Sequence, residues 1–244
     1  TQPGSGNNRL PVDTIPQIVI DHHHPMREPL RHVPYVDVRP ETGATVTLLY
    51  QYMEATVIVP DSDLATAMFY GLKTDTRGLS RGTSPADTTV YLNLLDQIDR
   101  SKLIQVEQAG LSQEYFQAFS QGLHVAQMYD RSMVANLGKM HRPDLAAEMA
   151  DLLIRLDSAR AVLCLGRYDR TLHLSIRTEP LGQDAGLLVQ QVIIPPGKAG
   201  GHGTMAGGQI RLHNQDPYQL SDQLSKKALQ YIKGDASLVG GLLI

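Results

Sequence analysis

A short apolar run that ends in a cluster of charged and imidazole side chains is the feature that most constrains the fold of this chain. Ile18, Val19 and Ile20 follow Pro16 and come directly before Asp21. A run without polar alternation is typical of a strand that is covered on both faces in a parallel sheet. The sequence therefore predicts an α/β domain in which Asp21 lies at the carboxyl end of a buried strand.

Helical patterns follow this strand. Between residues 43 and 53, apolar side chains recur at the i, i+3, i+4, i+7 spacing of an amphipathic helix. Asp63 is predicted to cap a second helix, and the Ser-Pro-Ala-Asp run at 84–87 resembles a capping box with proline at the first helical position. Residues 101–125 have a less clear helical pattern and are predicted to connect two domains.

The second half of the chain mixes helix and strand signals. A helix is predicted to begin at Pro143. Apolar and polar residues alternate strictly over 171–177, as in a strand with one buried face. Residues 187–194 fit either a helix or a strand, and a glycine-rich stretch follows them from 197 to 208.

Length and composition agree with two domains. A chain of 244 residues with 42% hydrophobic residues has enough material for two cores. We predict an α/β fold in three parts. They are a parallel-sheet domain over 1–105 that is incomplete at its N-terminus, a helical linker over 106–125, and a smaller α/β domain with a mixed sheet over 126–244.

Charge and cysteine content narrow the functional classes. The formal net charge of -3 argues against a grip on long duplex nucleic acid, which needs clustered Lys and Arg. Cys164, the single cysteine, lies in an apolar run and is predicted to be a buried core thiol in a reducing compartment. No stretch approaches the ~18 apolar residues needed to cross a bilayer, so we expect a cytoplasmic location without a membrane segment.

The run Asp21-His22-His23-His24 is the first candidate for chemistry. Imidazole and carboxylate ligands together suit Mn, Zn or Fe, and open α/β sheets place their sites at the carboxyl ends of strands. Neighbouring side chains in an extended segment point to opposite sides, so at most two of the histidines converge on one ion. The alternative is a solvent-facing loop with no ligand.

Two further polar segments are weaker signals. Asp75 follows a predicted helix, where an aspartate usually serves a turn or a cap. Gly200-Gly201-His202 opens a glycine-rich stretch that lets a ligand approach the backbone, and amide groups at the start of a following helix would favour anions. Such a stretch is as often only a turn.

Three motifs in this order resemble the DHH phosphoesterase family with its C-terminal DHH-associated domain. They are Asp21-His22-His23, then Thr74-Asp75-Thr76, and then Gly-Gly-His near the C-terminus. That family includes RecJ-like exonucleases, nano-RNases that act as oligoribonucleases and dephosphorylate pAp, cyclic dinucleotide phosphodiesterases and, with another C-terminal domain, inorganic pyrophosphatases. The resemblance is greatest to the nano-RNase-like branch and covers nearly the whole chain.

The resemblance implies roles for particular residues. His22 and Asp75 would be ligands of one metal ion, His23 would lie beside the metal and contact phosphate, and Asp21 would orient a neighbouring imidazole. The metal would be Mn²⁺, two ions in an intact site, with Mg²⁺ or Zn²⁺ as alternatives. A water molecule activated by the two ions would hydrolyse the ester.

The resemblance also implies substrate contacts in the second domain. Gly200, Gly201 and His202 look like a substrate-gripping loop, and Arg177 matches a Ser-x-Arg element that holds nucleotide phosphate or base. A salt-bridging surface arginine is the alternative for Arg177. A short nucleotide is expected in the cleft between the domains, and a homodimer is possible.

The chain departs from the family pattern at its start. A His-x-x-x-Asp-x-Asp element and a bridging aspartate do not occur in it, and Asp13 does not qualify for that role. We expect an upstream segment of the same protein to complete the site, and we expect the chain alone to be inactive. A non-catalytic nucleotide-sensing module is the alternative function, and a polyphosphate phosphatase is disfavoured because few basic residues are available.

Overall fold

A computed structural model describes residues 2–3, 10–11, 14–233 and 240–244, without the side chains of Pro29, His202 and Lys233. The chain divides into two compact units, Thr1–Gly110 and Leu111–Ile244. The division falls inside the segment 106–125 that was predicted as a linker. Most of the opening loop and Asp13 lie outside the described residues.

In its described residues, the first unit pairs two parallel strands and carries four α-helices. Its elements are β1 (Ile18–Asp21), β2 (Tyr35–Val38), α1 (Thr45–Ala55), α2 (Ser62–Asp75), α3 (Pro85–Leu95) and α4 (Arg100–Glu107), with a short 3-10 helix at Glu28–His32. Strand β1 runs parallel to β2, and Asp21 pairs with Val38 at the carboxyl end. The predicted parallel strand and the position of Asp21 are confirmed.

The prediction that this strand is covered on both faces is wrong for the described residues. Val19 is 5% exposed, whereas Ile18 is 60% exposed. Successive side chains of a strand point to opposite faces, so one face of β1 packs and the other meets solvent at its start. An apolar run alone does not distinguish these two environments.

Side-chain caps fix where the helices begin. Asp61, and not Asp63 as predicted, caps α2: its Oδ1 accepts a hydrogen bond from the amide of Leu64 at 2.8 Å. Asp63 lies in the first turn of α2 and pairs instead with Lys102 of α4. Either aspartate suits the amino end of a helix.

The predicted capping box of α3 is confirmed. Ser84 Oγ accepts from the Asp87 amide at 3.2 Å, and Asp87 Oδ2 accepts from the Ser84 amide at 2.7 Å. Asp87 is fully buried and also accepts from the Gly43 amide at 2.8 Å and the Thr47 hydroxyl. Burial would raise the pKa of Asp87, but these hydrogen bonds outweigh it and lower the pKa. One carboxylate thus joins the start of α3 to the start of α1.

The second unit is a seven-stranded mixed sheet with helices on both faces. Its elements are α5 (Gln113–Val125), β3 (Ala126–Tyr129), β4 (Ser132–Lys139), α6 (Leu145–Leu153), β5 (Ala161–Tyr168), β6 (Thr171–Thr178), α7 (Ala185–Val192), β7 (Lys198–His202), β8 (Met205–Arg211), α8 (Pro217–Lys233) and β9 (Gly241–Leu242). The strand order is β7-β8-β6-β5-β4-β3-β9. Strands β4 and β5 are parallel and the other pairs are antiparallel, which confirms the predicted mixed sheet.

Two apolar clusters cover this sheet. On one face, Leu172, Leu174 and Ile176 of β6 pack with α7 and α8. The other face packs against α5 and α6, with Met149 and Cys164 fully buried there. Helix α5, which occupies most of the predicted linker, therefore contributes to the core of the second unit.

This arrangement resolves three expectations. Strand β6 was predicted to have one solvent-facing side, which is wrong because α6 packs against its polar side and leaves Ser175 and Arg177 buried. The ambiguous segment 187–194 is mainly helix α7. Cys164 is a buried free thiol, as predicted, and burial raises its pKa.

Among the described residues, no helix is long and apolar enough to span a membrane.

Candidate functional site

The polar loop after β1 is organised around the Asp21 carboxylate. Asp21 is 1% exposed, and its Oδ1 lies 2.8 Å from Nδ1 of His23, whose side chain is 57% exposed. Burial alone would raise the pKa of Asp21, but its neighbouring donors, His23 foremost, lower it. An ionised carboxylate only accepts hydrogen bonds, so Nδ1 of His23 carries the proton and Nε2 is left as the acceptor in the neutral ring.

His22 lies beside this pair, with its ring centroid 4.2 Å from that of His23. Its Nδ1 is buried and has no hydrogen-bond partner among the described residues. Burial, together with the charge of His23, lowers the pKa of His22, while the carboxylates of Asp75 and Asp21 act in the opposite direction. The Asp75 carboxylate therefore lies near enough to act on the charge of His22, although 52 residues separate the two in the sequence.

Asp75 is the last residue of α2, and the turn behind it is firmly held. The buried Thr76 donates from its hydroxyl to the Leu72 carbonyl at 2.6 Å and accepts from the Leu79 amide at 3.1 Å. Arg81 donates from Nη2 to the Asp75 carbonyl at 2.8 Å. The Asp75 side chain itself is exposed. A fixed backbone and an exposed carboxylate suit a ligand-binding position.

Gln2 is a residue of this site that sequence reasoning missed. Its side chain is 2% exposed, donates from Nε2 to the His23 carbonyl at 2.7 Å and accepts at Oε1 from the Arg27 amide at 2.9 Å. It therefore ties the backbone of His23 to that of Arg27 and holds the segment between them. A single glutamine among loop residues carries no sequence signal for this contact.

The donor set of this loop fits part of a metal site. An unpartnered imidazole nitrogen and a nearby carboxylate are ligands that Mn, Zn or Fe accept. Among the described residues no group of three or more His, Cys, Asp or Glu side chains has the spacing to hold an ion. His22 and Asp75 stay predicted ligands, and two side chains do not complete a coordination sphere by themselves.

The glycine motif of the second unit lies in a β-hairpin. The prediction that Gly200 and Gly201 precede a helix start is wrong, because they lie in β7, which turns directly into β8. Gly201 has φ +153, and a Cβ there would meet Ala206 Cα and Met205 O at 2.4 Å each. At Gly200 a Cβ would meet nothing within 4 Å, so it leaves an open strip of backbone.

The start of α7 clasps this hairpin. Asp184, its N-cap, accepts at Oδ1 from the Leu187 amide at 2.9 Å and at Oδ2 from the Gly203 amide at 2.7 Å. The Ala185 amide donates to the Gly203 carbonyl at 2.6 Å. One carboxylate thus caps the helix and fixes the turn that follows the Gly-Gly-His motif. The side chain of His202 lies outside the described residues.

Arg177 is buried, whereas the alternation of apolar and polar residues over 171–177 predicted an exposed arginine. Its side chain is 7% exposed, and Nε and Nη2 donate to the Asp151 carboxylate at 2.7 and 3.2 Å. Nη1 donates to Ser175 Oγ at 2.8 Å and to the Ile176 carbonyl at 3.0 Å. Across β8, Arg177 and His202 both pair with Met205, so they occupy the same end of the sheet. A substrate-binding role for Arg177 stays a prediction.

Comparisons with known proteins give the fold a precedent. No protein-family model matches the chain. An uncharacterized protein of Methanocaldococcus jannaschii is 30% identical over 211 residues, which are 85% of this chain and 42% of that protein. The chain thus spans less than half the length of this relative.

Solved structures provide the fold likeness. An exopolyphosphatase-related protein from Bacteroides fragilis superposes with a TM-score of 0.66 at 15% identity, over 88% of this chain and 63% of that one. The pGpG-specific phosphodiesterase PggH from Vibrio cholerae gives a TM-score of 0.43 at 13% identity, over 89% of this chain and 80% of that one. The first of these defines the class: the chain has the α/β fold of the exopolyphosphatase-related protein.

Proposed function

We propose that the protein containing this chain is a metal-dependent phosphoesterase of the DHH kind that hydrolyses short nucleotides. The observation that carries the proposal is the buried Nδ1 of His22, which has no hydrogen-bond partner among the described residues and lies at the carboxyl end of a parallel strand, within electrostatic range of the Asp75 carboxylate. The likeness in fold to the exopolyphosphatase-related protein supports it.

The residues of the first unit supply the metal-binding and phosphate-binding groups. His22 and Asp75 would hold the ion, for which Mn²⁺ is the first choice and Mg²⁺ or Zn²⁺ the alternatives. Such an ion supplies positive charge for phosphate oxygens and lowers the pKa of water. His22 suits this role because its lowered pKa keeps the imidazole neutral and its lone pair available at neutral pH.

His23 and Asp21 would act together on the phosphate. Asp21 holds the proton of His23 on Nδ1 at 2.8 Å, which fixes the orientation of an imidazole whose other edge is exposed. A ring fixed in this way presents Nε2 to a substrate, as a hydrogen-bond donor once it is protonated. Asp21 is thus a positioning residue, and His23 is the group that would contact substrate.

The second unit would supply the grip on the remainder of the nucleotide. The open backbone at Gly200 and the tight packing of Gly201 support this assignment, and His202 is proposed to contact the substrate beside them. Oligoribonucleotides, pAp and cyclic dinucleotides are the substrates to test. Arg177 is proposed to contact the substrate at this end of the sheet. Its donors are bound to Asp151 and Ser175, so the substrate would have to share or replace these partners.

The test is hydrolysis of these three substrates by the protein that contains this chain, with Mn²⁺ and with Mg²⁺. We expect His22→Ala and Asp75→Asn to lower kcat by at least about 100-fold, because each removes a charge-stabilising ligand. Matched controls are His32→Ala and Asp96→Asn, which alter exposed residues of the same unit and should leave kcat unchanged.

Unchanged turnover in either ligand variant would refute the assignment of His22 and Asp75. A second readout is Mn²⁺ binding measured by calorimetry, which should weaken in both ligand variants and in neither control. Nucleotide binding without turnover in the unaltered protein would refute the enzyme and support the nucleotide-sensing alternative.

A further inference from the structure

An open basin of about 760 Å³ lies in the second unit, at the end of the sheet away from the glycine hairpin. In β8, Arg211 pairs with Thr171 and Met205 pairs with Arg177, so the two ends lie six positions apart. At about 3.4 Å per residue the basin and the hairpin are roughly 20 Å apart along the strands. The basin is therefore separate from the residues of the proposed function.

Three arginines from different elements line the basin. Arg167 lies near the end of β5, Arg170 lies in the turn to β6, and Arg211 ends β8. The amide of Leu212 donates to the Arg170 carbonyl at 2.7 Å, which fixes the turn against the end of β8. The antiparallel register thus brings three arginines that are up to 44 residues apart in the sequence to the same end of the sheet, where all three line the basin.

The charge of the basin is not neutralised by the protein. Within the described chain, none of these three arginines has an ion pair, whereas Arg39, Arg142 and Arg160 each pair with a carboxylate. Asp169 is the one carboxylate among the residues that line the basin. Three arginines and one aspartate give a formal charge of +2 in a chain whose net charge is -3.

Two charged neighbours of the basin, Asp216 and Lys139, have opposite signs and leave its formal charge unchanged. Asp216, next to the lining residue Pro217, is engaged by the Tyr218 amide at 2.9 Å as α8 begins. Arg167 and Pro217 also line a smaller adjoining pocket, together with Lys139 and the 67% exposed ring of Tyr218. Like charges held close together are unfavourable unless an anion binds between them.

We propose that this basin binds a small anion that carries two or more linked phosphate groups, such as pyrophosphate or a nucleoside polyphosphate. Guanidinium groups match phosphate oxygens with paired hydrogen bonds, and three arginines line one cavity of a size usual for small ligands. In a nucleotide, the Tyr218 ring would face the base. The limited basic area favours this ligand over a long nucleic acid, which needs an extended basic track.

The experiment is calorimetric titration of the chain with inorganic pyrophosphate in a chelating buffer without divalent metal. We expect Arg170→Ala combined with Arg211→Ala to weaken binding by about tenfold or more, since each removes charge-assisted hydrogen bonds. Arg155→Ala, an exposed arginine of the same unit outside the basin, is the matched control and should bind as the unaltered chain does. Asp169→Asn should tighten binding, because it removes the opposing charge.

Two further variants separate the outcomes. His22→Ala should leave pyrophosphate binding unchanged, so a failure of the proposed active site and a failure of this basin are distinguishable. Tyr218→Ala should weaken a nucleoside triphosphate and leave pyrophosphate unaffected if the ligand is a nucleotide. Equal affinity of the double arginine variant and the unaltered chain would overturn the proposal. The proposal would also be overturned if the chain did not bind pyrophosphate but bound single-stranded oligonucleotides with an affinity that rises with their length.

Discussion

Gly201 and Gly200 are adjacent in β7, yet the structure predicts opposite responses to the same substitution. A Cβ at Gly201 would lie 2.4 Å from Ala206 Cα and from Met205 O, both in the backbone of β8. Neither atom moves without breaking the register of the hairpin. At Gly200 a Cβ would meet nothing within 4 Å. Gly201→Ala should therefore destabilise the second unit, and Gly200→Ala should be close to neutral.

The magnitude follows from two separate costs. The φ of +153 at Gly201 belongs to a region that is essentially restricted to glycine, which costs about 1–3 kcal/mol for an alanine. Overpacking against fixed neighbours costs a further ~1–3 kcal/mol. We expect the free energy of unfolding to fall by about 2–6 kcal/mol for Gly201→Ala. For Gly200→Ala we expect a change within about 0.5 kcal/mol.

The assay is urea unfolding followed by circular dichroism, because the chain has no tryptophan for fluorescence. The chain has two units, so the transition is fitted with two steps if it shows them. The reasoning would be refuted by equal unfolding midpoints for the two alanine variants. It would also be refuted if Gly200→Ala were the more damaging change.

Three other predictions use buried charges and the buried thiol. Cys164 should not react with a thiol reagent in the folded chain, because the thiol is buried and burial raises its pKa. It should react fully in denaturant. Fast labelling of the native chain would contradict the buried position of Cys164. The lowered pKa of Asp87 stabilises the fold above the ordinary value of 3.8, and this contribution is lost as the pH falls through the folded value. Acid unfolding of Asp87→Asn should therefore depend less steeply on pH than that of the unaltered chain, and parallel pH profiles would exclude this role. Asp151→Ala leaves the buried Arg177 without its carboxylate and should cost about 1–2 kcal/mol, less than a fully buried pair because Asp151 is 44% exposed. Asp157→Ala, at an exposed position, is its control in the same unfolding experiment, and equal stability of the two variants would contradict the assignment.

Local patterns in the sequence predicted the elements well where the signal and its cause lie within one segment. The strand before Asp21, the helix over 45–55 and the capping box at Ser84 each depend on neighbours a few residues away. Propensity and capping act at this range, so the sequence carries them directly.

Features that depend on distant partners were missed or placed wrongly. The polar side of β6 reads as solvent-facing, but Asp151, 26 residues away, satisfies Arg177 inside the fold. The glycine stretch reads as a loop because paired glycines disfavour strands, and only the pairing with β8 shows why Gly201 must lack a side chain. Gln2 and the arginine basin give no sequence signal, since each residue alone is typical of a surface.

The candidate site illustrates the same limit. The order of the motifs indicated that His22 and Asp75 belong together, and in the structure the Asp75 carboxylate acts on the pKa of His22. Their roles, and those of Gly200, Gly201 and His202, stay predictions until the variants are measured. The tautomer of His23 follows only from the coordinates, because it depends on the 2.8 Å contact with Asp21.

The two hydrogen bonds that Asp184 accepts couple the opening of the β7–β8 hairpin to the opening of α7. Because one carboxylate holds the amides of both Leu187 and Gly203, the turn cannot open without exposing the first turn of the helix. Local opening at this end of the sheet is therefore a single cooperative event. A molecule that binds to the hairpin would therefore slow amide hydrogen exchange in the first turn of α7 without contacting that helix.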